Sequence, residues 1–549
     1  MLLKKRVCAI FLWILAVPVL AQKEPVFTHQ DTLRGTITAE REWWDLTYYH
    51  LNVKVNPGDS TISGSNLVAY KVLKPAQVLQ IDLQQPMEIK SVSQNGVQLN
   101  FKRDGNAWFV TLKQPQTKGE IKELLVEYSG KPKVSKRPPW DGGISWKKDE
   151  KGRPFIVNTN QGDGASLWWP CKDHPYDEPD SMLISVTFPE NLMNVSNGRL
   201  RGTETNNDGT KTTHWYVSNP INNYGVNINI GNYVHFADVY KGEKGNLDCD
   251  YWVIDYNLEK AKEHFKQAHQ MLEAFEHWFG PYPFYEDGYK LVEVPYPGME
   301  HQSSVTYGNG YKNGYGGRDE SHTGFGMKFD FIIIHESGHE WFANNITNHD
   351  EADMWIHESF IAYSESLFTE YFWGKEAGAA YCRGTRLNIR NDRPVQGIYG
   401  VNYPGSGDMY SKGANMLHTL RQIIGNDEKW RQILRGLNSN FYHQTVTAEQ
   451  VENYMAEQSG LDLKAFFDQY LRETQIPTLE YAVVNNQIRY RWTNCVPDFK
   501  MKLKVYVNDK LQWIEPTRRW QNLELAGAFE SFRIDKDFYV AGFCISEIK

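Results

Sequence analysis

Two histidines four residues apart flank a carboxylate in the run His335-Glu336-Ser337-Gly338-His339, and Glu358 follows after eighteen intervening residues. On a helix, side chains four apart lie on one face a turn from each other, so both imidazoles can reach a single metal ion. Neutral imidazole suits Zn²⁺, and a catalytic zinc site takes three protein ligands and leaves a fourth position open. Glu358 is the carboxylate that completes a two-histidine, one-glutamate set of His335, His339 and Glu358 for one zinc ion per chain. Glu336 is then free to act as general base toward the water that such an ion activates.

Those ligands need two helices brought together. Phe329-Asp330-Phe331-Ile332-Ile333-Ile334 leads into the first histidine with an almost wholly apolar surface, which predicts a buried helix rather than a solvated one. A buried helix carries two histidines and a glutamate only if those polar groups have partners. Asp353-Met354-Trp355-Ile356-His357-Glu358-Ser359-Phe360 reads as the start of a second helix, packed so that Glu358 meets the first.

The remaining chain supplies the scaffold. Lys4-Lys5-Arg6, an apolar run from Val7 to Leu20 and the small-residue ending Val19-Leu20-Ala21 predict a secretory signal peptide over 1–21, with the mature protein exported to the periplasm or secreted. The apolar run is shorter than a membrane-spanning helix and contains Pro18, and no later stretch is long and apolar enough to span. Single cores rarely extend past ~250–300 residues, so 549 residues predict several domains. A net charge of −8 gives no electrostatic basis for binding nucleic acid or an anionic membrane. Beyond the leader there are five widely spaced cysteines, Cys171, Cys249, Cys382, Cys495 and Cys544, which is no disulfide framework, although Cys495 and Cys544 share the last segment and could pair in an oxidising compartment.

From about Trp43 to Tyr256 short alternating strands follow one another, Tyr48–Val55 and Thr61–Tyr70 across the turn Asn56-Pro57-Gly58-Asp59 among them. Between them, Trp140-Asp141-Gly142-Gly143, Asn158–Ala165 and Trp168–Asp173 combine glycines, amides and large aromatics, a composition that by itself favours a packed irregular connection. At Asn257 the period changes to helical, Leu258–Phe279. The glycine-rich run Gly308–Gly317 lacks the Gly-Lys-Ser/Thr ending of a phosphate loop and reads as a mobile surface loop. After further helices the chain returns to strands at Ile476-Pro477, with hairpins turning at Asn485-Asn486 and Asn508-Asp509. The fold class is multidomain α+β: an N-terminal all-β domain over 22–255, a mainly α catalytic domain over 256–475 and a small β-sandwich-like domain over 476–549, of a size at which independent folding is marginal.

Three motifs in this order resemble the aminopeptidase N-like gluzincins, peptidase family M1: the zinc motif with Glu358 at the family's spacing, Gly298-x-Glu300 with Met299 between, and Tyr410 with Lys412-Gly413-Ala414. The resemblance spans about Trp43 to Pro477. It implies a thermolysin-like catalytic domain and a zinc aminopeptidase acting on peptides with a free N-terminus. Glu300 would bind the substrate α-ammonium within the segment Gly298-Met299-Glu300, Gln161 would add its amide oxygen, and Tyr410 would donate to the oxyanion. It also turns the Trp-rich segment into a site wall. His301 and His357-Glu358-Ser359 depart from the family's Asn and Asn-Glu-Gly. A zinc endopeptidase and a non-catalytic peptide-binding relative are the competing readings; Glu300 disfavours the first and the intact residue set the second.

Overall fold

The computed structural model describes residues 25–545 apart from 526, so the expected signal peptide at 1–21 lies outside the described residues. The N-terminal part is mainly β, with one short α-helix, His29–Gly35, ahead of the first strand. Trp44–Asn56 runs at the centre of an eight-stranded sheet, antiparallel to Thr61–Val72 and parallel to Ser181–Pro189. Its alternating burial matches the period of a strand with one face in the core, where Trp43, Trp44, Tyr49 and Leu51 are almost completely buried. A four-stranded sheet beside it pairs Pro154–Thr159 with Gly143–Lys148, and the chain leaves that strand at Asn160-Gln161.

The next sheet crosses the expected boundary at 255/256. Tyr233–Gly242 and Gly245–Ile254 join Tyr289–Glu293, Val305–Tyr307 and the short edge strand Gly298–Met299 in one five-stranded sheet. The change of period at Asn257 therefore falls inside a structural unit. The helix expected over Leu258–Phe279 is two, Leu258–His264 and Gln267–Phe279, broken at Phe265-Lys266.

Below this sheet lie the helices. Phe331–Gly338 starts at Asp330, whose carboxylate accepts from the Ile332 and Ile333 amides at 2.9 and 3.3 Å. The nineteen-residue helix Trp355–Trp373 is buried over its first fifteen residues and forms the centre of the helical core. An irregular turn, Glu340–Asn344, follows the first of them, with Ala343 at φ 144°, a strained value for alanine. Among the described residues no helix is long and apolar enough to cross a membrane.

Both C-terminal hairpins turn where expected. Thr478–Val484 pairs with Gln487–Thr493 across Asn485 and Asn486 at φ 49° and 60°, and Leu503–Val507 with Lys510–Ile514 across Asn508 and Asp509 at φ 48° and 59°. This segment shares its core with the helices: Leu479, Trp492 and Leu503 belong to the same hydrophobic cluster as Phe360 and Leu417. Cys495 and Cys544 are free thiols.

Candidate active site

The motif helix and the long helix bring His335, His339 and Glu358 together as expected. Nε2 of His335 and of His339 stand 3.6 and 3.5 Å from Oε2 of Glu358, and all three residues are buried. That carboxylate oxygen has no hydrogen-bond donor. Ligands at 2.0–2.2 Å around a tetrahedral ion are separated by about 3.3 Å, so both nitrogen–oxygen separations are close to a zinc coordination edge, and the three ligand atoms all lie within 4.8 Å of one another. Burial disfavours charge on the imidazoles, yet the Glu358 and Glu365 carboxylates outweigh it at His335 and hold it well above the usual value; His339 is raised by Glu358 in the same way. Burial also opposes ionisation of Glu358, and the imidazoles more than reverse this, holding its carboxyl far below the usual range. A site that favours positive charge between two nitrogens and an orphaned carboxylate oxygen fits a divalent cation.

The outer nitrogens are fixed. His335 Nδ1 lies 2.8 Å from Oε1 of Glu365, whose other oxygen accepts from the Tyr381 hydroxyl at 2.8 Å. His339 Nδ1 lies 3.0 Å from the Phe342 carbonyl, which the irregular turn aims back at it. Such partners set the tautomer that points Nε2 at a metal. Sequence reasoning missed Glu365, although it stands seven residues, two helical turns, beyond Glu358 on the same helix face.

Glu336, also buried, faces the same cavity of about 240 Å³, which Gln161, Gly298, Glu300 and Tyr410 line too. Burial, set against the His335 charge, pushes its carboxyl up to about 7. Gln161 Nε2 lies 3.2 Å from Glu300 Oε1 and 3.4 Å from Glu358 Oε1. It is thus the amide nitrogen that faces the two carboxylates, where the expectation had its oxygen toward an ammonium; an arriving ammonium requires the amide to turn over. Burial raises the Glu300 carboxyl, with His339 opposing it.

Met299 departs from expectation. The strand alternates, so Gly298 and Glu300 face the cavity while Met299 packs into the N-terminal core. Gly298 is needed there: a Cβ would stand 2.6 Å from Ile332 Cγ2 and 3.0 Å from Glu336 Cγ. Tyr410, at the start of the helix Ser411–Ile424, stacks on the His335 ring with centroids 6.0 Å apart. The Trp-rich segment divides in two. Trp168 and Trp169 are fully buried scaffold, the former donating to Asn160 Oδ1 at 3.0 Å and so steadying the neighbour of Gln161, whereas Trp140 is exposed on the cavity wall. The glycine-rich run is a second correction. Asn309 binds its carbonyls at Lys312 and Gly314 and the Asp330 carboxylate, all within 2.9 Å, which ties the loop to the start of the motif helix and sets Tyr315 in the cavity wall.

His301 and His357 leave the cavity's charge alone. Burial drives both imidazoles down to about 3, so each is neutral near pH 7. His301 Nδ1 pairs with Thr306 Oγ1 at 3.2 Å, and His357 Nε2 accepts from the Asn348 amide at 2.9 Å. Ser359 fills the space left by Gly413, where a Cβ would come within 2.0 Å of the serine Oγ, and donates to the Met409 carbonyl.

A β-rich N-terminal part, a helical part with a two-histidine, one-glutamate centre and a carboxylate poised beside it define a gluzincin-type metallopeptidase. Residues 263–470 match the Peptidase family M1 domain and residues 46–224 the Peptidase M1 N-terminal domain, and the chain belongs to peptidase family M1. Leukotriene A-4 hydrolase of Xenopus laevis is 22% identical over 76% of this chain and 69% of its own length. Aminopeptidase B of Mus musculus is 23% identical over 80% and 69%. Among solved structures, an M1 zinc metallopeptidase from Deinococcus radiodurans shares the fold with a TM-score of 0.63, 21% identity, and coverage of 78% of this chain and 93% of that one.

Proposed function

We propose that this protein is a zinc-dependent aminopeptidase that removes the first residue from peptides with a free N-terminus. The observation that carries it is the buried Glu300 carboxylate, held beside the metal-ligand set and linked to it through Gln161. An anion fixed there pairs with an α-ammonium and disfavours a neutral peptide segment, which separates this reading from a zinc endopeptidase. Relatives named aminopeptidase B and Probable aminopeptidase 2 support it, as does a mutant of the Deinococcus radiodurans enzyme bound to a Tyr-Ser-Ala substrate.

In this reading His335, His339 and Glu358 hold one zinc ion, which when bound supplies Lewis acidity and lowers the pKa of water to roughly 7. Glu300 and the turned amide of Gln161 bind the substrate ammonium, with the Gly298 backbone alongside. Glu336 takes a proton from the attacking water and returns it to the leaving amine. The Tyr410 hydroxyl donates to the oxyanion as the carbonyl carbon becomes tetrahedral. An aminoacyl arylamide should be cleaved, its N-acetyl form should not, and a chelator should abolish turnover; equal cleavage of both would sink the assignment. Glu300→Ala should lower kcat/KM on free-amine substrates by ~10–100-fold, the loss of a charged hydrogen bond, without opening the enzyme to the acetylated one.

Export belongs to the same proposal. The basic Lys4-Lys5-Arg6, the apolar run and the ending Val19-Leu20-Ala21 support cleavage before Gln22. Sequencing the mature N-terminus from a secreting host should begin at Gln22; an intact Met1 would overturn it.

A further inference from the structure

The catalytic cavity adjoins a second chamber of about 340 Å³. Glu320, Phe331 and Tyr410 line both, while Gln161 and Glu300 line only the first and Arg390 only the second. Tyr410 thus stands between the cavity that holds the ammonium-binding pair and the metal ligands and the chamber that Arg390 lines. A peptide anchored by its first residue that runs past Tyr410 enters this chamber, each further residue adding about 3.3–3.6 Å when extended.

The charges facing the chamber are Glu320, Glu365, Arg390, Asp392, Arg393 and Asp408. Four are engaged. Glu365 holds His335 and Tyr381. Asp392 takes the Ser406 hydroxyl at 2.5 Å and lies 3.4 Å from Arg393, which in turn donates to the Tyr403 hydroxyl. Asp408 accepts from the Arg390 and Asn391 amides at 2.9 and 2.5 Å, and Asn391 sits at φ 49°. That clamp fixes the backbone from which the Arg390 side chain projects. Arg390 is exposed and makes no ion pair among the described residues. Glu320, without an ion pair among the described residues, stands at the shared rim on a loop held by Asp319, whose carboxylate accepts from the Ser321 and Thr323 amides at 2.9 Å each, and by Asn388.

We propose that Arg390 binds the C-terminal carboxylate of short peptide substrates, so that the protein reads both ends of a peptide only a few residues long. This rests on the aminopeptidase reading of the site and adds its substrate class. A planar guanidinium suits bidentate pairing with a carboxylate. Glu320 at the rim repels a carboxylate from the region of the scissile bond and leaves Arg390 as the cation that can receive it.

The test uses the full zinc-loaded chain with three substrates: trialanine, its C-terminal amide, and an alanyl arylamide that lacks a carboxylate. The wild type should prefer the free acid over the amide by about tenfold in kcat/KM, chiefly through KM. Arg390→Gln should bring the acid down to the amide while changing arylamide turnover less than twofold, and Arg390→Lys should keep part of the preference. Equal rates on acid and amide in the wild type, or an equal fall on both in Arg390→Gln, would overturn the assignment. Failure of the wild type to cleave the arylamide would instead overturn the aminopeptidase reading; calorimetric binding of acid and amide would then still show whether Arg390 selects the carboxylate.

Discussion

The carboxylates of this cavity differ in what their surroundings make of them. Glu358 is held ionised by two imidazoles, whereas Glu336 and Glu300 are raised by burial, so one fits a cation and another a transferable proton. The two unusual histidines are silent by the same physics. His301 is drawn down to about 3 from an ordinary value near 6.5. Between those values the unfolded chain binds a proton that the folded chain does not, so stability falls as pH drops from 6.5 toward 3. His301→Asn should flatten the loss of Tm between pH 6.5 and 4 and leave the pH profile of kcat unchanged. A shifted activity profile would show that His301 titrates with the reaction. His335-Glu336-x-x-His339 and Glu358 were legible because their spacing is local to two helices. The turned amide of Gln161 was not, since it follows from which carboxylates the fold sets beside it.

At the level of elements, two contacts decide whether the groups stay in register. The edge strand touches the motif helix at Gly298 with no room for a methyl group. Gly298→Ala should therefore displace Glu336 or the strand bearing Glu300, costing about 1–3 kcal/mol by overpacking and lowering kcat/KM at least tenfold, as read by thermal melts and arylamide kinetics. Normal activity with an unchanged Tm would show that the strand shifts freely. The second contact is Glu365 behind His335. Glu365→Gln should weaken zinc affinity ~10–100-fold in chelator competition while the protein stays folded. Affinity equal to wild type would remove Glu365 from the metal centre. Helix period and the Asn-Asn and Asn-Asp turns announced most elements correctly. The Met299 direction and the break at Phe265-Lys266 were decided by packing across the sheet.

The molecule as a whole is joined more tightly than a chain of separate domains. One sheet runs from Tyr233 to Tyr307 across the expected boundary, and the C-terminal strands share a core with the catalytic helices. Polar contacts reinforce the second junction. Tyr470 donates to the Tyr539 carbonyl at 2.7 Å, the Tyr539 amide to Thr419 Oγ1 at 2.9 Å, and Arg383 pairs with Asp537. Truncation after 475 should strip that cover from the helical core and leave a chain that aggregates or melts far below the full protein, as followed by light scattering and calorimetry. A soluble, fully active fragment would show that the C-terminal strands form a separate unit.

The sequence by itself determined the chemistry: ligand types, their helical spacing, the base between them and the succession of β, α and β segments, all set by interactions within a few turns or strands. Only the tertiary structure decided where those groups point. The orphaned Glu358 oxygen, the Glu365 support, the inward Met299 and the chamber leading to Arg390 each depend on residues far apart in the chain. Periodicity carries no information about such meetings, because they arise when separate elements bury their apolar faces against one another.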